Sequence, residues 1–266
     1  MRTHLQTPTI AVTQEEVVRF YDNLASGYDR MTGFEARFVK ERPFFRLLVD
    51  THKIRRAVDA GAGTGFHSLL LSQLGVEVTA LDVSPRMLEV LAGHAATMRL
   101  SIKTVTGALA EAGALIPTPQ DAVFSLGNTL AHCLSPESLR QSLASLNRLL
   151  RPGGILFAQV LNYRRILVAR EEILQQKEID GVRITRRYDY PGTLIKFSVI
   201  REDLRSGKAP DVESVDLYPL LETEFVGALR DTAYEDIRMF GGISMEPFDA
   251  AASKDLVVLA TKRGNA

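Results

Sequence analysis

Residues 57–65 read AVDAGAGTG, a short apolar run that leads through Asp59 to glycines at positions 61, 63 and 65. Closely spaced glycines after a strand are typical of a turn that a ligand approaches closely, because no Cβ blocks the backbone there. The stretch therefore predicts a strand, a ligand-binding turn and the start of a helix, which together form the first unit of an α/β fold.

The next hundred residues repeat this alternation of strand and helix. Apolar runs typical of strands lie at 76–84, 100–107, 121–127 and 155–162, and helical patterns lie at 67–75, 85–95 and 135–154. Such alternation predicts parallel strands joined by right-handed crossovers. We expect an α/β fold with a doubly wound, mainly parallel seven-stranded Rossmann-like sheet, helices on both faces, and a ligand site at the carboxyl ends of the strands.

The segments on either side of this core have other patterns. Thr13, followed three residues later by Glu16, forms a capping-box pattern that predicts an N-terminal helix. Beyond residue 180, three strand-like runs joined by turn-rich segments predict antiparallel pairing. We expect a single domain, 1–266, with covering helices at 13–50, a ligand-binding core at 51–180, an antiparallel lid insertion at 181–221, and a final helix and strands of the core at 222–266. Candidates for lining the site from the lid, whose role stays open, are Arg186, Arg187, Tyr188 and Tyr190.

Composition and net charge limit the classes of partner that this protein is expected to bind. The 266 residues include 32 Lys and Arg and 32 Asp and Glu, so the formal net charge is zero and we expect no nucleic-acid or membrane partner. A small molecule fits this balance better. The single cysteine, Cys133, excludes an internal disulfide, and no run of 18 apolar residues occurs, so we expect a cytoplasmic protein. Composition leaves the oligomeric state open.

The register of the glycines separates two classes of cofactor. The dinucleotide fingerprint G-x-G-x-x-G, counted from Gly61, requires a third glycine at the position of Phe66, so a nicotinamide oxidoreductase is disfavoured. Asp82 ends the next apolar strand, 21 residues after Gly61. A carboxylate there can accept hydrogen bonds from both hydroxyls of a ribose, although it could also merely cap the helix that follows Pro85.

The alternative pattern D-x-G-x-G-x-G, formed by Asp59 and the three glycines, resembles the first motif of class I S-adenosylmethionine-dependent methyltransferases. The stretch SLGNTLAHC at 125–133, together with LNY at 161–163, resembles glycine N-methyltransferases, in which G-N-[ST]-x-x-H follows strand four and N-Y follows strand five. With FYDNLASGYDRM near the N-terminus, the resemblance covers roughly residues 15–170. It implies S-adenosyl-L-methionine as the cofactor.

Carried over position by position, the resemblance implies cofactor contacts from aromatics that close over the site, an arginine for the carboxylate, the glycine loop, the ribose acid and residues around the adenine. In chain order these are Tyr21, Tyr28, Arg37, Gly61, Gly63, Asp82, Val83, Met87, Ala108, Leu109 and Leu126. Simpler interpretations remain for some of them. Arg37 could be a solvated helix charge, the two tyrosines could be core-edge aromatics, and Met87 could be a core residue.

Methyl transfer from a sulfonium needs mainly proximity, alignment and a neutral nucleophile. Asn128, in the G-N motif, is the candidate catalytic residue that orients the nucleophile, and His132 is the candidate proton acceptor. A structural role for a lone histidine is the open alternative. We expect no metal, because this segment offers only Asp121, at the wrong end of its strand.

One departure from the glycine N-methyltransferase pattern lies at Leu161. That family has an arginine before the N-Y pair to bind the substrate carboxylate, and an aliphatic side chain cannot make this bidentate contact. We therefore expect methyl transfer to the nitrogen of a small-molecule acceptor other than glycine, with oxygen as the second choice. A non-catalytic S-adenosylmethionine-binding module that acts through a protein partner is the alternative from another class.

Overall fold

The computed structural model describes residues 14–29, 34–117 and 119–264, so Thr13, the expected helix cap, lies outside the described residues. The main sheet contains β1 (Arg56–Ala60), β2 (Glu77–Asp82), β3 (Lys103–Thr106), β4 (Gln120–Ser125), β5 (Leu150–Leu161), β10 (Tyr234–Phe240) and β11 (Asp255–Lys262). Its order is β10-β11-β5-β4-β1-β2-β3. The first five strands pair in parallel, and β11 runs antiparallel to both of its neighbours. The expected mainly parallel, seven-stranded Rossmann-like sheet is confirmed.

Helices pack on both faces of this sheet. They are α1 (Gln14–Leu24), α2 (Phe34–His52), α3 (Phe66–Gln73), α4 (Pro85–Thr97), α5 (Ala112–Leu115), α6 (Pro136–Leu149), α7 (Tyr163–Ala169) and α8 (Glu222–Asp231). Neighbouring residues of β4 show the two faces: Val123 packs in one core with α6 and α8, whereas Phe124 packs in another with α2 and α3. Both side chains are fully buried, as expected of a parallel sheet covered on both sides.

Helix starts follow local sequence signals. The Ser84 hydroxyl accepts a hydrogen bond from the backbone N–H of Met87 at 3.1 Å, and Pro85 occupies the first turn of α4. Ser135 caps α6 in the same way by accepting from the backbone N–H of Ser138 at 3.1 Å. These caps begin each helix immediately after a strand or loop that reaches the carboxyl edge of the sheet.

A second sheet is antiparallel and contains β6 (Ile173–Ile179), β7 (Val182–Asp189), β8 (Ile195–Asp203) and β9 (Asp211–Leu217). It has one strand more than the three runs seen in the sequence. β6 lies at the edge and is mostly exposed and polar, so it lacks the apolar alternation that marks a half-buried strand. From β7, Tyr188 is buried and joins the main core, with its ring centroid 5.7 Å from that of Phe197 on β8.

No helix among the described residues is both long enough and apolar enough to span a bilayer.

Candidate active site

A cavity of about 680 Å³ opens at the carboxyl ends of β1, β2 and β4, where a doubly wound sheet is expected to bind a ligand. This volume is within the range of small-molecule sites. Eleven of the residues expected in the site line it: Tyr21, Tyr28, Arg37, Gly61, Gly63, Asp82, Val83, Ala108, Leu109, Leu126 and His132. Residues far apart in the chain therefore meet at one edge of the sheet.

The glycine loop has a backbone that only glycine adopts without strain, with φ of +87° at Gly61, +54° at Gly63 and +93° at Gly65. A Cβ at Gly61 would lie 2.3 Å from the Thr129 side chain. A Cβ at Gly63 would meet nothing within 4 Å, because that position faces open space. Gly61 is thus required for the close approach of two loops, whereas the missing side chain at Gly63 leaves open space beside the cavity wall.

Asp82, at the end of β2, links this loop to the cavity. Its Oδ2 accepts a hydrogen bond from the backbone N–H of Gly63 at 2.8 Å, and its Oδ1 accepts from that of Ser84 at 2.9 Å. Burial raises the pKa of Asp82 to about 6, against the lowering effect of these bonds. A carboxylate has about four lone-pair sites, so capacity remains for the hydroxyls of a ligand.

Asp59, the first residue of the glycine motif, has a different position. It is buried, its Oδ2 accepts a hydrogen bond from the Ser68 hydroxyl at 2.7 Å, and burial raises its pKa. This contact ties β1 to α3 below the loop. Asp59 is not among the residues that line the cavity.

Tyr21 and His132 form an uncharged pair in the cavity wall. The Tyr21 hydroxyl lies 2.7 Å from Nε2 of His132, and its ring centroid lies 6.4 Å from that of Tyr28. Burial raises the pKa of both tyrosines and lowers the pKa of His132 to about 4. At neutral pH the imidazole and both phenols are therefore neutral, which gives this wall aromatic surface without a formal charge.

Arg37 lies on α2 and brings a positive charge to the cavity. Its Nε donates to Oε1 of Glu41 at 2.8 Å, and its guanidinium carbon lies 4.1 Å from the centroid of the Phe66 ring. Among the described residues, Arg37 is the one arginine or lysine that lines the cavity. An anionic group of a ligand would therefore find a single cationic partner.

Asn128 lies just outside the lining and uses both ends of its amide within the fold. Its Oδ1 accepts from the backbone N–H of Leu161 at 3.0 Å, and its Nδ2 donates to the Tyr163 hydroxyl at 2.8 Å. Its backbone is left-handed, with φ of +74°. The side chain joins the carboxyl ends of β4 and β5, and Leu161 itself packs against the main core.

Met87 also lies outside the lining, because it is fully buried in the first turn of α4 and packs in the main core. This placement corresponds to the simpler interpretation of Met87 as a core residue.

Comparisons with known proteins agree with this geometry. Residues 57–154 match a family model described as a methyltransferase domain. A glycine/sarcosine N-methyltransferase of Aphanothece halophytica is 28% identical over 230 residues, which cover 84% of this chain and 82% of that protein. A ubiquinone biosynthesis O-methyltransferase of Methylocella silvestris is 33% identical over 148 residues, which cover 54% of this chain and 52% of that protein.

A solved methyltransferase structure has a similar fold. A crystal structure of an S-adenosylmethionine-dependent methyltransferase from Clostridium acetobutylicum matches with a TM-score of 0.78 at 14% identity, over 92% of this chain and 99% of that one. The matched domain, the methyltransferase relatives and the shared fold together support a class I S-adenosylmethionine-dependent methyltransferase. The chain resembles the glycine N-methyltransferase group, which confirms the resemblance found in the sequence and favours an enzyme over a binding module.

The residues present in this methyltransferase fit S-adenosyl-L-methionine. The open position at Gly63 leaves space beside the loop, and Asp82 retains acceptor capacity. Arg37, which lines the cavity, would supply a cation for the carboxylate of a methionyl group. Within the described residues, no group of three or more His, Cys, Asp or Glu side chains could hold a metal ion.

Several residues that line the cavity were not among those that the sequence predicted for the site. They are Thr64, Thr129, Cys133, Leu134, Ser135, Ser138, Ser142, Thr193, Leu194 and Tyr218. Thr129 lies within the G-N-T motif, so the motif itself could have indicated it as a site residue. Thr193 and Leu194 reach the cavity from the turn between β7 and β8, so the second sheet contributes to the site through its turn.

The four lid candidates do not line the cavity. Arg187 pairs with Asp189 at 2.7 Å, and the Tyr190 hydroxyl donates to the backbone carbonyl of Glu171 at 2.9 Å. Tyr188 is buried in the main core. Arg186 lies close enough to Tyr28 for its charge to act against the raised pKa of that tyrosine.

Proposed function

We propose that this methyltransferase transfers a methyl group to the nitrogen of a small-molecule acceptor other than glycine, with an oxygen acceptor as the second candidate. The observation that carries the proposal is the single cavity in which the glycine loop and Asp82 meet the uncharged wall formed by Tyr21 and His132. The N- and O-methyltransferase relatives support both kinds of acceptor atom.

The proposed cofactor site uses the residues at the strand ends. Asp82 accepts hydrogen bonds from the ribose, and the backbone at Gly61 and Gly63 lies beside the methionyl group. Arg37 binds its carboxylate. The adenine lies between Val83 and the turn at Ala108 and Leu109, the main chain of Leu126 faces the cofactor, and Tyr21 and Tyr28 close over it. Their common position around one cavity supports these roles.

The cofactor supplies an activated methyl group, and the protein supplies position. Holding two reactants in line replaces an encounter in solution, and this can contribute about 7–11 kcal/mol in favourable cases. The neutral His132, with its pKa lowered to about 4, holds Tyr21 at the wall without introducing a charge. We propose that Asn128 acts by holding the backbone of Leu161 and the hydroxyl of Tyr163. We also propose that His132 acts by orienting Tyr21 and not as the proton acceptor, because a group with a pKa of about 4 is too weak a base to take a proton from an amine at neutral pH. The acceptor amine then binds in its neutral form and releases its proton to water after methylation.

Charge at the cavity supports the exclusion of glycine. If Arg37 binds the cofactor carboxylate, no second arginine or lysine among the described lining residues remains for an acceptor carboxylate. Leu161, at the position where the glycine N-methyltransferase pattern has arginine, is aliphatic and packs against the core. An acceptor without a carboxylate suits this wall better, because a buried anion without a partner is costly.

We also propose that residues 1–266 act as one domain, in which the N-terminal helices and the second sheet cover the core. Tyr21 and Arg37 from the helices, with Thr193 and Leu194 from the second sheet, support this arrangement because all line the same cavity. A cytoplasmic location is part of the proposal. Its support is Cys133, a buried free thiol whose pKa burial raises to about 11.

The test is release of S-adenosylhomocysteine from the purified protein, with S-adenosylmethionine and a panel of primary and secondary amines, half of which carry a carboxylate, together with phenols and alcohols. Turnover should occur with amines that lack a carboxylate and should be absent with glycine and sarcosine. Turnover of glycine as the best acceptor would contradict the proposal. Turnover of phenols and alcohols alone would show that the acceptor atom is oxygen, the second candidate.

A further inference from the structure

Arg37 is held on two sides by the protein. Glu41, one turn later on α2, accepts from Nε at 2.8 Å, and the ring of Phe66 covers one face of the guanidinium at 4.1 Å. Together these contacts fix the plane of the group and occupy its Nε edge. The edge formed by the two terminal nitrogens is the one left to bind an anion in the cavity.

Glu41 is held in turn by a second helix. Its Oε2 lies 3.4 Å from Nε2 of His67 on α3, and the two side chains are only 12% and 11% exposed. Neither atom forms a hydrogen bond with any described residue, so the 3.4 Å approach is a close polar contact between two buried groups. Burial opposes ionisation of Glu41, but His67 and Arg37 outweigh it and lower the pKa of this carboxyl group. Glu41 is therefore a carboxylate that faces Arg37 with one oxygen and His67 with the other.

A carboxylate buried as far as that of Glu41 is a poor way to stabilise a fold, whereas its partner Arg37 is 35% exposed. Replacing a buried ion pair by apolar side chains of similar volume is often neutral or stabilising, because the charges lose their hydration. Here Glu41 lies behind a guanidinium that lines the cavity, and His67 lines the cavity as well. The contacts of Glu41 with Arg37 and His67 therefore suit the binding of a ligand better than the stabilisation of the core.

We infer that Glu41 and His67 are positioning residues, which orient Arg37 so that its terminal nitrogens bind the carboxylate of the cofactor. The inference rests on the proposed role of Arg37. Two parallel N–H to oxygen bonds require a defined plane and direction of the guanidinium. A freely rotating Arg37 would lose this alignment and would pay more conformational entropy on binding.

The experiment compares two ligands by isothermal calorimetry: S-adenosylhomocysteine, and S-adenosyl-3-thiopropylamine, which is the same molecule without its carboxyl group. The wild type should bind S-adenosylhomocysteine more tightly. Glu41→Gln should weaken that binding about five- to tenfold, as for a weakened charged hydrogen bond, and should change the affinity for S-adenosyl-3-thiopropylamine by less than about twofold. His67→Phe, which keeps the ring but removes the nitrogen, should act in the same direction.

Two controls separate positioning from a general effect on the fold. Asp50→Asn removes the carboxylate from another ion pair on α2, in which Asp50 Oδ1 lies 3.8 Å from Nη1 of Arg46, and it should leave both affinities unchanged. In an Arg37→Gln background, neither Glu41→Gln nor His67→Phe should have a further effect, which separates positioning from a direct contact of His67 with the ligand. Thermal denaturation of each variant establishes that it is folded, and if Glu41→Gln does not fold, His67→Phe provides the test.

Equal weakening of both ligands by Glu41→Gln, no weakening of either, or an effect that persists without Arg37 would each overturn the inference. Wild-type protein that binds the two ligands equally well would also overturn it, by removing the role of Arg37 while leaving the cofactor site intact. Wild-type protein that binds neither ligand would remove the cofactor site itself, and with it the proposed function.

Discussion

At the scale of single residues, Gly61 and Gly63 have similar backbones and different surroundings. Alanine at Gly61 would place its Cβ 2.3 Å from Thr129, so Gly61→Ala should lower the free energy of unfolding by about 1–3 kcal/mol. Alanine at Gly63 meets no protein atom and should cost about 1 kcal/mol for its left-handed backbone. Its methyl group would instead occupy the cavity and should weaken cofactor binding about tenfold or more.

Urea unfolding and calorimetry with S-adenosylhomocysteine distinguish the two glycine variants. Gly61→Ala should act mainly on stability and Gly63→Ala mainly on binding. A Gly63→Ala protein that is folded and binds the ligand as tightly as the wild type would show that the loop does not hold the cofactor.

Asp82 gives a prediction that depends on pH. Its pKa is raised to about 6 by burial, so the carboxylate is partly protonated below neutral pH in the free enzyme. Ribose hydroxyls donate to the ionised form, so they should lower this pKa on binding and the affinity should fall as the pH decreases through about 6. Asp82→Asn should weaken S-adenosylhomocysteine binding by about 1–3 kcal/mol at pH 8 and abolish the pH dependence in this range.

Calorimetry between pH 5 and pH 8, in buffers of different ionisation enthalpy, measures both the affinity and the protons released on binding. An affinity that is the same for wild type and Asp82→Asn across this range would remove Asp82 from the site.

At the scale of elements, Asn128 connects two strand ends through two side-chain hydrogen bonds, to Leu161 and Tyr163. Asn128→Ala should lower the free energy of unfolding by about 2–4 kcal/mol, from the lost bonds and from a Cβ at φ of +74° that asparagine tolerates better than alanine. Asn128→Gly loses the same bonds without the Cβ strain and should be about 1 kcal/mol more stable than the alanine variant.

Denaturant titration of the two Asn128 variants gives these differences directly. If both variants are as stable as the wild type, the amide does not hold the two strand ends together.

The elements that the sequence could predict are those with strong periodicity and clear ends. β1, β2 and β4 are short apolar runs followed by turn residues, and α4 and α6 begin at a serine followed by proline. β6 could not be predicted in this way, because its exposed residues show no apolar alternation. Its pairing with β7 depends on the neighbouring chain, which a local pattern does not contain.

At the scale of the whole molecule, α1 connects the core to the second sheet. The Ser84 hydroxyl, at the start of α4, donates to Asp22 of α1. Asn23 donates to Glu213 of β9 at 2.8 Å, and the ring of Phe20 lies 5.9 Å from that of Phe197 on β8. The helix that carries Tyr21 is therefore fixed by both layers, which explains how an N-terminal residue reaches the site.

Much of the cavity lining could be predicted, because its residues lie at strand ends that a local pattern identifies. Gly61 and Asp82 are of this kind. The contact of Gly61 with Thr129 and the bonds of Asn128 to residues 33 and 35 positions later arise only when distant loops pack together. For the same reason, the sequence offered no signal for the lining residues Thr193 and Leu194.

The most direct test of the central claim is to locate the transferred methyl group by mass spectrometry, with S-adenosylmethionine deuterated in its methyl group. The acceptors would be matched compounds that carry both an amine and a hydroxyl, with and without a carboxylate. We predict that the label is found on nitrogen of the acceptors that lack a carboxylate, and that glycine stays unlabelled. Label on glycine, or in none of the acceptors although S-adenosylhomocysteine binds, would contradict the account.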